Sequence, residues 1–404
     1  MNSQSKQTWF VLGIVLLVLL AGWIYSIRLG DTLRYWDEKE YFIYVNNFLV
    51  THTFTFDGIH PTAMRPPGYP FLLMAFGALG ADRVILRMLN FLAFAASVVI
   101  LYIWLKERAD AIAGVIGVGL IVCYPVLFYA AGTFFPQTVG AFLFLLTLYI
   151  VSKKPLMLWQ AGIAGLVFGG LVLTIPTFTF GIPLIGLWLV RRERAWRSAI
   201  LFVMAAGLMI GIWTLRNYRV FNTFVFVATN SGFNLLIGNA PETTSNSGLT
   251  IDFNEFKDEA AGLDEVQADA FYRAKAMRFI LDNKTQTLQL YFSKVLNYFN
   301  FRNDMLTQGE SSSLRDVVML IGYGALGFIL LVRIICFQHF RFSAWEIFLL
   351  LFYLLSAFTH AVFFTRIRFR LPFDFLLIAV DALFLRNVVM RWFERPQHLR
   401  KNPS

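Results

Sequence analysis

A chain of 404 residues that is 57% hydrophobic and only 15% charged cannot cover a water-exposed surface and must use lipid as part of its solvent. Its net charge of +10 comes without groove-reading motifs, which excludes nucleic acid as the partner and assigns the excess to orientation in a membrane. Cys123 and Cys336 fall inside or at the end of apolar runs, excluding a disulfide framework, a thiolate metal site or an activated nucleophile.

The first apolar run, 8–27, follows Lys6, but the stretch Ser26-Ile27-Arg28-Leu29-Gly30 is a poor cleavage site, so the run reads as an uncleaved anchor. Residues 28–87 form a first outer loop. Within it, Tyr35–Phe48 has helical spacing with Asp37, Tyr41, Tyr44 and Phe48 near one face, placing Asp37 over an aromatic platform. Glu38, one residue on, faces away from Asp37. His52 and His60 lack ligand spacing and read as surface histidines, with His60 close enough to the next turn to touch a substrate. That turn, Met64-Arg65-Pro66-Pro67-Gly68-Tyr69-Pro70, is rigid and presents Arg65 and Tyr69 at the membrane surface. The apolar stretch Tyr69–Leu79 is too short to cross about 30 Å of hydrocarbon and is laid on the outer surface.

Further apolar runs follow at 88–105, 111–130, 134–152, 157–174, 177–190, 198–215, 316–336, 343–364 and 371–390, for about ten spans in all. Lys106/Arg108, Lys153/Lys154, Arg191/Arg192/Arg194/Arg197, Arg333/Arg341 and Arg391/Arg395/Arg400/Lys401 mark the cytoplasmic side. Both termini then lie in the cytoplasm, with 28–87 and 216–315 outside. The expected fold is an all-α integral membrane protein with three parts: a transmembrane module 1–215 that holds the first outer loop, an outer domain 216–315, and C-terminal helices 316–404.

The outer domain carries 11 acidic and 10 basic residues. Asp264–Asp282 reads as a helix with Val266, Ala270, Met277 and Leu281 near one face and an Asp269/Arg273 pair, as expected of a small folded cap. Leu288, Tyr291, Phe292, Val295, Leu296, Tyr298 and Phe299 form an amphipathic stretch suited to the headgroup plane. Near the end, Thr365–Pro372 places Arg366, Arg368 and Arg370 on the side that the positive-inside rule disfavours. An extended segment would point all three one way, toward phosphate oxygens of a substrate or of lipid headgroups. Asp374 is placed to hold this cluster, whereas Asp381 has no obvious partner.

Together these segments resemble the C-type membrane glycosyltransferases, in the branch of protein O-mannosyltransferases and lipid A aminoarabinose transferases. The resemblance rests on Asp37-Glu38 with Tyr41, on Arg65–Pro70, on Trp213–Tyr218, Gly232–Leu235 and Gly238-Asn239, and on Arg366–Pro372. It implies that Asp37 is the catalytic carboxylate, that the donor is a sugar on a polyprenyl phosphate, and that the anomeric carbon is inverted. This chain has Gln137 where many members carry an acid, and Ile175 where many carry a base.

A phosphate leaving group needs little protonation, so one base and a set of cations suffice, and Gln137 cannot be the second carboxylate of a retaining mechanism. The candidate substrate contacts are Glu38, Tyr41, His60, Arg65, Tyr69, Gln137, Arg366, Arg368 and Arg370. No cofactor is expected; a divalent metal on Asp37 and Glu38 is the less favoured option. The acceptor is a glycan, lipid or protein, and the expected setting is a bacterial inner membrane with the site facing the periplasm or exterior. Two other classes stay open: a lipid-linked substrate transporter or flippase, and a non-catalytic envelope assembly protein whose outer domain binds another protein.

Overall fold

The computed structural model describes residues 3–246, 252–302 and 313–399. Arg400 and Lys401 of the terminal basic cluster lie outside the described residues, as do the side chains of Arg192 and Arg395 and the outer-domain segments 247–251 and 303–312.

The expected apolar runs lie largely in helix, though 111–130 is broken at 123–125 and 177–190 opens in a 3-10 turn, Pro176–Phe180. The first is α1 (Ser3–Leu29); the loop after it carries α2 (Trp36–Thr51) and α3 (Gly68–Gly77). Then come α4 (Arg83–Arg108), α5 (Ala111–Val122), α6 (Val126–Ala131), α7 (Gln137–Val151), α8 (Leu158–Thr174), α9 (Gly181–Glu193) and α10 (Trp196–Phe221). Within 216–315 lie α11 (Ser231–Gly238), α12 (Asn254–Glu259), α13 (Glu265–Asp282) and α14 (Lys284–Tyr298), and α15 (Ser313–Ile335), α16 (Ala344–Ala361) and α17 (Ile367–Leu399) follow. Among the described residues the only β pairing is one isolated bridge, Thr55 to Pro61. The protein is an all-α integral membrane protein.

Local chemistry sets the helix ends. Asp82 accepts from the Ile85 amide to cap α4, Asp110 accepts from Ile112 and Ala113 to cap α5, and Ser343 with Glu346 forms a capping box on α16. Pro176 stops α8 at Thr174, because a residue before proline avoids helical geometry. The buried face of α8 is mostly small (Ala161, Ala164, Gly165, Gly169), which lets α10 pack closely along it.

In lipid the helices are held by close packing and by ion pairs. Arg386 joins Asp110 at 2.6 Å, tying α17 to α5, and Arg333 joins Glu346 at 2.6 Å, tying α15 to α16. The outward faces are apolar: Leu16, Leu17 and Leu20 on α1, Met204, Leu208 and Ile212 on α10, and Ile321, Phe328 and Ile335 on α15 are exposed. An exposed belt of this size fits contact with acyl chains.

Two outer features differ from expectation. α3 does not merely lie on a surface: Tyr69, Leu73 and Met74 are buried, and it packs on α2 and α8. On α13, Met277 and Leu281 are exposed, and the helix instead turns Asp269 and Ala276 inward against α11. Asp269 can take the inner face because the Gly232 amide, Ser231 and Arg273 all donate to it.

Candidate active site

The site begins at the N-terminus of α2. Glu38 is buried; its Oε2 accepts from the amides of Arg34 (2.6 Å) and Tyr35 (3.1 Å), and its Oε1 accepts from the amide of Phe134 at 2.9 Å. A carboxylate at a helix start satisfies orphan donors and suits the helix dipole. Both oxygens being engaged, Glu38 sits in the structure as a stitch between α2 and the segment before α7, not as a cavity-lining group.

Asp37 points the other way, since successive helical residues do not share a face. Its Oδ1 lies 3.0 Å from Arg65 Nη2 and its Oδ2 lies 2.8 Å from Arg368 Nη1. Arg65 also pairs with Glu40, whose Oε1 accepts from the Trp36 indole at 2.9 Å. Arg368 rests over the Phe135 ring, 4.5 Å from its centroid. Burial pushes the Asp37 carboxyl up, but Arg368 and then Arg65 outweigh it and hold the group below its ordinary value. Burial likewise works against the charge on Arg65, and Asp37, Tyr41 and Glu40 more than restore it. Tyr41 lies beneath Arg65, with its phenol pushed up to about 12 by burial.

Asp37 opens onto a cavity of about 460 Å³. Its lining combines polar, mostly cationic side chains (Arg34, Tyr35, Lys39, Arg315, Arg366, Arg368) and the carboxylate of Asp316 with apolar ones (Val126, Ala130, Phe301, Met319, Phe364, Leu371). Arg34 is fixed by donating to the Tyr25 hydroxyl at 2.7 Å and the Gly132 carbonyl at 2.9 Å, and the Tyr35 and Tyr129 hydroxyls meet at 2.5 Å. Such a cavity suits an anion that carries an apolar tail.

The three arginines of the last turn are not side by side. The segment becomes helical at Ile367, and a 100° step per residue sends alternate side chains to different sides, where an extended backbone would have aligned them. Arg366 and Arg368 line the cavity, whereas Arg370 is fully buried. It pairs with Asp374 at 3.1 Å, donates to the carbonyls of Tyr298 (2.9 Å) and Asn300 (2.8 Å), and leaves Asp374 to accept from Tyr124 and Tyr353. Asp381 is also buried, and its oxygens accept no hydrogen bond among the described residues.

Of the remaining candidates, Tyr69 is buried and exchanges hydrogen bonds with Asn90, away from the cavity. His60 is exposed, 2.7 Å from Asp57, and is not brought to Asp37. Gln137 starts α7 and lines a small neighbouring void, where its Oε1 has no partner among the described residues. Sequence reading missed Arg34, Glu40, Tyr129 and Arg315. Arg34 and Glu40 flank Asp37 in the sequence and were within reach of a helix-face argument; Tyr129 and Arg315 arrive by tertiary packing.

Among the described residues no group of three or more His, Cys, Asp and Glu side chains gathers. Two carboxylates line the cavity: Asp37, engaged by Arg65 and Arg368, and Asp316, whose Oδ2 lies 3.7 Å from Arg302.

No family model matches the sequence, and no curated protein sequence matches it. Solved structures do match. The archaeal oligosaccharyltransferase AglB from Archaeoglobus fulgidus, in complex with an inhibitory peptide and a dolichol-phosphate, is similar at TM-score 0.50 and 16% identity over 98% of this chain and 53% of that one. The Archaeoglobus fulgidus oligosaccharyltransferase tethered to an acceptor peptide containing the NVT sequon gives TM-score 0.50 and 15% identity over 95% of this chain and 50% of that one. ArnT from Cupriavidus metallidurans bound to undecaprenyl phosphate gives TM-score 0.42 and 12% identity over 93% of this chain and 78% of that one. The chain spans about half the length of the oligosaccharyltransferases it matches. At these identities the likeness shows the fold alone, the one shared with the oligosaccharyltransferase structures.

Proposed function

We propose that this chain is an inverting, metal-independent glycosyltransferase that moves a hexosyl or pentosyl group from a polyprenyl-phosphate donor to an acceptor on the outer face of the membrane. The observation that carries this reading is Asp37, held between Arg65 and Arg368 on a cavity lined by both cationic and apolar side chains. The donor phosphate takes Arg368, Arg366 and Arg34, and the isoprenoid chain lies along Val126, Met319 and Leu371. The similar AglB structure, complexed with dolichol-phosphate, supports a lipid phosphate ligand for this fold.

Asp37 is the base. As the donor phosphate draws Arg368 away, the carboxylate loses the strongest charge that depresses it and gains basicity when the acceptor hydroxyl is in place. The acceptor oxygen attacks the anomeric carbon, its proton passes to Asp37, the sugar–phosphate bond breaks, and the electron pair leaves with the phosphate, where the guanidinium groups stabilise it. Arg65, anchored by Glu40, keeps Asp37 oriented throughout. The basic loops Lys106/Arg108 and Lys153/Lys154 support cytoplasmic termini in a bacterial inner membrane, with Asp37 on the periplasmic side.

The test is transfer or sugar release from a panel of polyprenyl-phosphate sugars by purified wild type and Asp37→Asn, both shown to be folded. Loss of nearly all turnover with donor binding retained supports the assignment. Equal activity in Asp37→Asn refutes the base, and absence of donor binding and consumption in wild type refutes the enzyme reading in favour of transport or assembly.

A further inference from the structure

The two arginines on Asp37 come from the two segments that the outer domain grips. The Arg65 segment is held from α13: Glu265 accepts from the Ala63 amide at 2.8 Å, from the Thr62 hydroxyl at 2.5 Å and from Thr229. Arg216 donates to the Thr62 carbonyl at 2.8 Å, and the Thr229 amide to that of Ala63 at 3.0 Å.

The Arg368 segment is held from α14 and α11. Lys294 is buried, with its Nζ donating to the carbonyls of Phe363 at 2.8 Å and Gly238 at 3.0 Å and to the Asn239 amide oxygen at 3.4 Å. Burial pushes the amine down to about 7, and three oxygen acceptors match the three donors of its ammonium form. Asn239 donates to the Val362 carbonyl at 3.0 Å and Asn297 to the Thr365 hydroxyl at 2.9 Å. Gly238 lies so close to Phe363 that a Cβ would overlap its carbonyl oxygen, and a Cβ at Gly232 would overlap that of Asp269. The outer helices thus contact both segments through groups that make no contact with Asp37.

We infer that Glu265 and Lys294 are positioning residues, two latches through which the outer domain sets Arg65 and Arg368 on Asp37. An arginine displaced by about 1 Å loses its geometry on a carboxylate or phosphate, so releasing either latch lowers turnover without removing a group from the cavity. The inference rests on the proposed reading of the Asp37 site for its catalytic consequence, though not for its structural one.

The experiment compares wild type, Lys294→Met, Lys294→Arg and Glu265→Gln in detergent, by amide hydrogen exchange and by donor turnover. Lys294→Met is expected to speed exchange across 362–368 by about tenfold while leaving 60–66 unchanged, and Glu265→Gln to do the reverse. Each lowers kcat at saturating donor by about tenfold or more, and Lys294→Arg recovers part of the loss. If Lys294→Met does not fold, Asn239→Ala, which removes the Val362 contact, must show the same local exchange. Unchanged or uniformly raised exchange overturns the latches even if the wild type is active. Local exchange changes in a wild type that consumes no donor uphold the latches and refute the glycosyltransferase reading.

Discussion

Arg65 and Arg368 divide the two oxygens of one carboxylate between them, Asp37 Oδ1 to the first at 3.0 Å and Oδ2 to the second at 2.8 Å. Arg65 is further tied to Glu40, whereas Arg368 is a third exposed and lines the cavity. The pair is therefore unequal: one cation fixed, one available for exchange.

Arg368→Ala is expected to weaken donor binding by about 10–100-fold, the worth of one charge-assisted hydrogen bond to phosphate. It also removes the strongest charge lowering the Asp37 pKa, so the acid limb of the kcat/KM profile moves to higher pH. A profile that keeps its acid limb in place contradicts the coupling between these two residues.

Asp37 has a folded-state pKa below its ordinary 3.8, so its ion pairs contribute stability that is fully present above the unfolded value and is lost as pH falls through the folded one. Thermal unfolding of wild type and Asp37→Asn should differ at pH 6 and converge as the pH is taken below 3.8. A gap that persists at the acid end assigns the difference to packing.

Asp374→Asn leaves Arg370 charged and buried without its partner and is expected to cost about 3–5 kcal/mol. Asp381→Asn, at a carboxylate that accepts no hydrogen bond among the described residues, should be neutral or stabilising. Melting temperatures in one detergent decide both.

His60→Ala should leave donor turnover within about twofold of wild type, since the ring is exposed and paired with Asp57. A larger loss would bring the Asp57–His60 turn into substrate binding.

Much of the architecture was legible because a bilayer demands apolar helices, and most of the expected runs between 8 and 390 fall in a single helix, 111–130 and 177–190 being divided. Asp37, Arg65 and Arg368 were legible as well, the first two from a helix face and a rigid turn. Arg370 was misread: the alternation Arg366, Arg368, Arg370 has opposite meanings in a strand and a helix, and Ile367 starts a helix. The buried partners of Tyr69 and Glu38 were not legible, because sequence gives direction along an element but not what packs against it, here Asn90 and the Phe134 amide. The grip of α13 and α14 on distant turns had no local signal at all.

Gly232 and Gly238 have no ionisable group and touch no cavity, yet each sits where any Cβ would overlap a carbonyl oxygen. In a saturation library these two positions should reject every other amino acid alike, acid, base or alanine, a signature of bulk with no dependence on charge. A descendant of this protein that lost either glycine would keep every candidate catalytic side chain and still fall silent, so inactivity in such a lineage is to be sought first in its smallest residues.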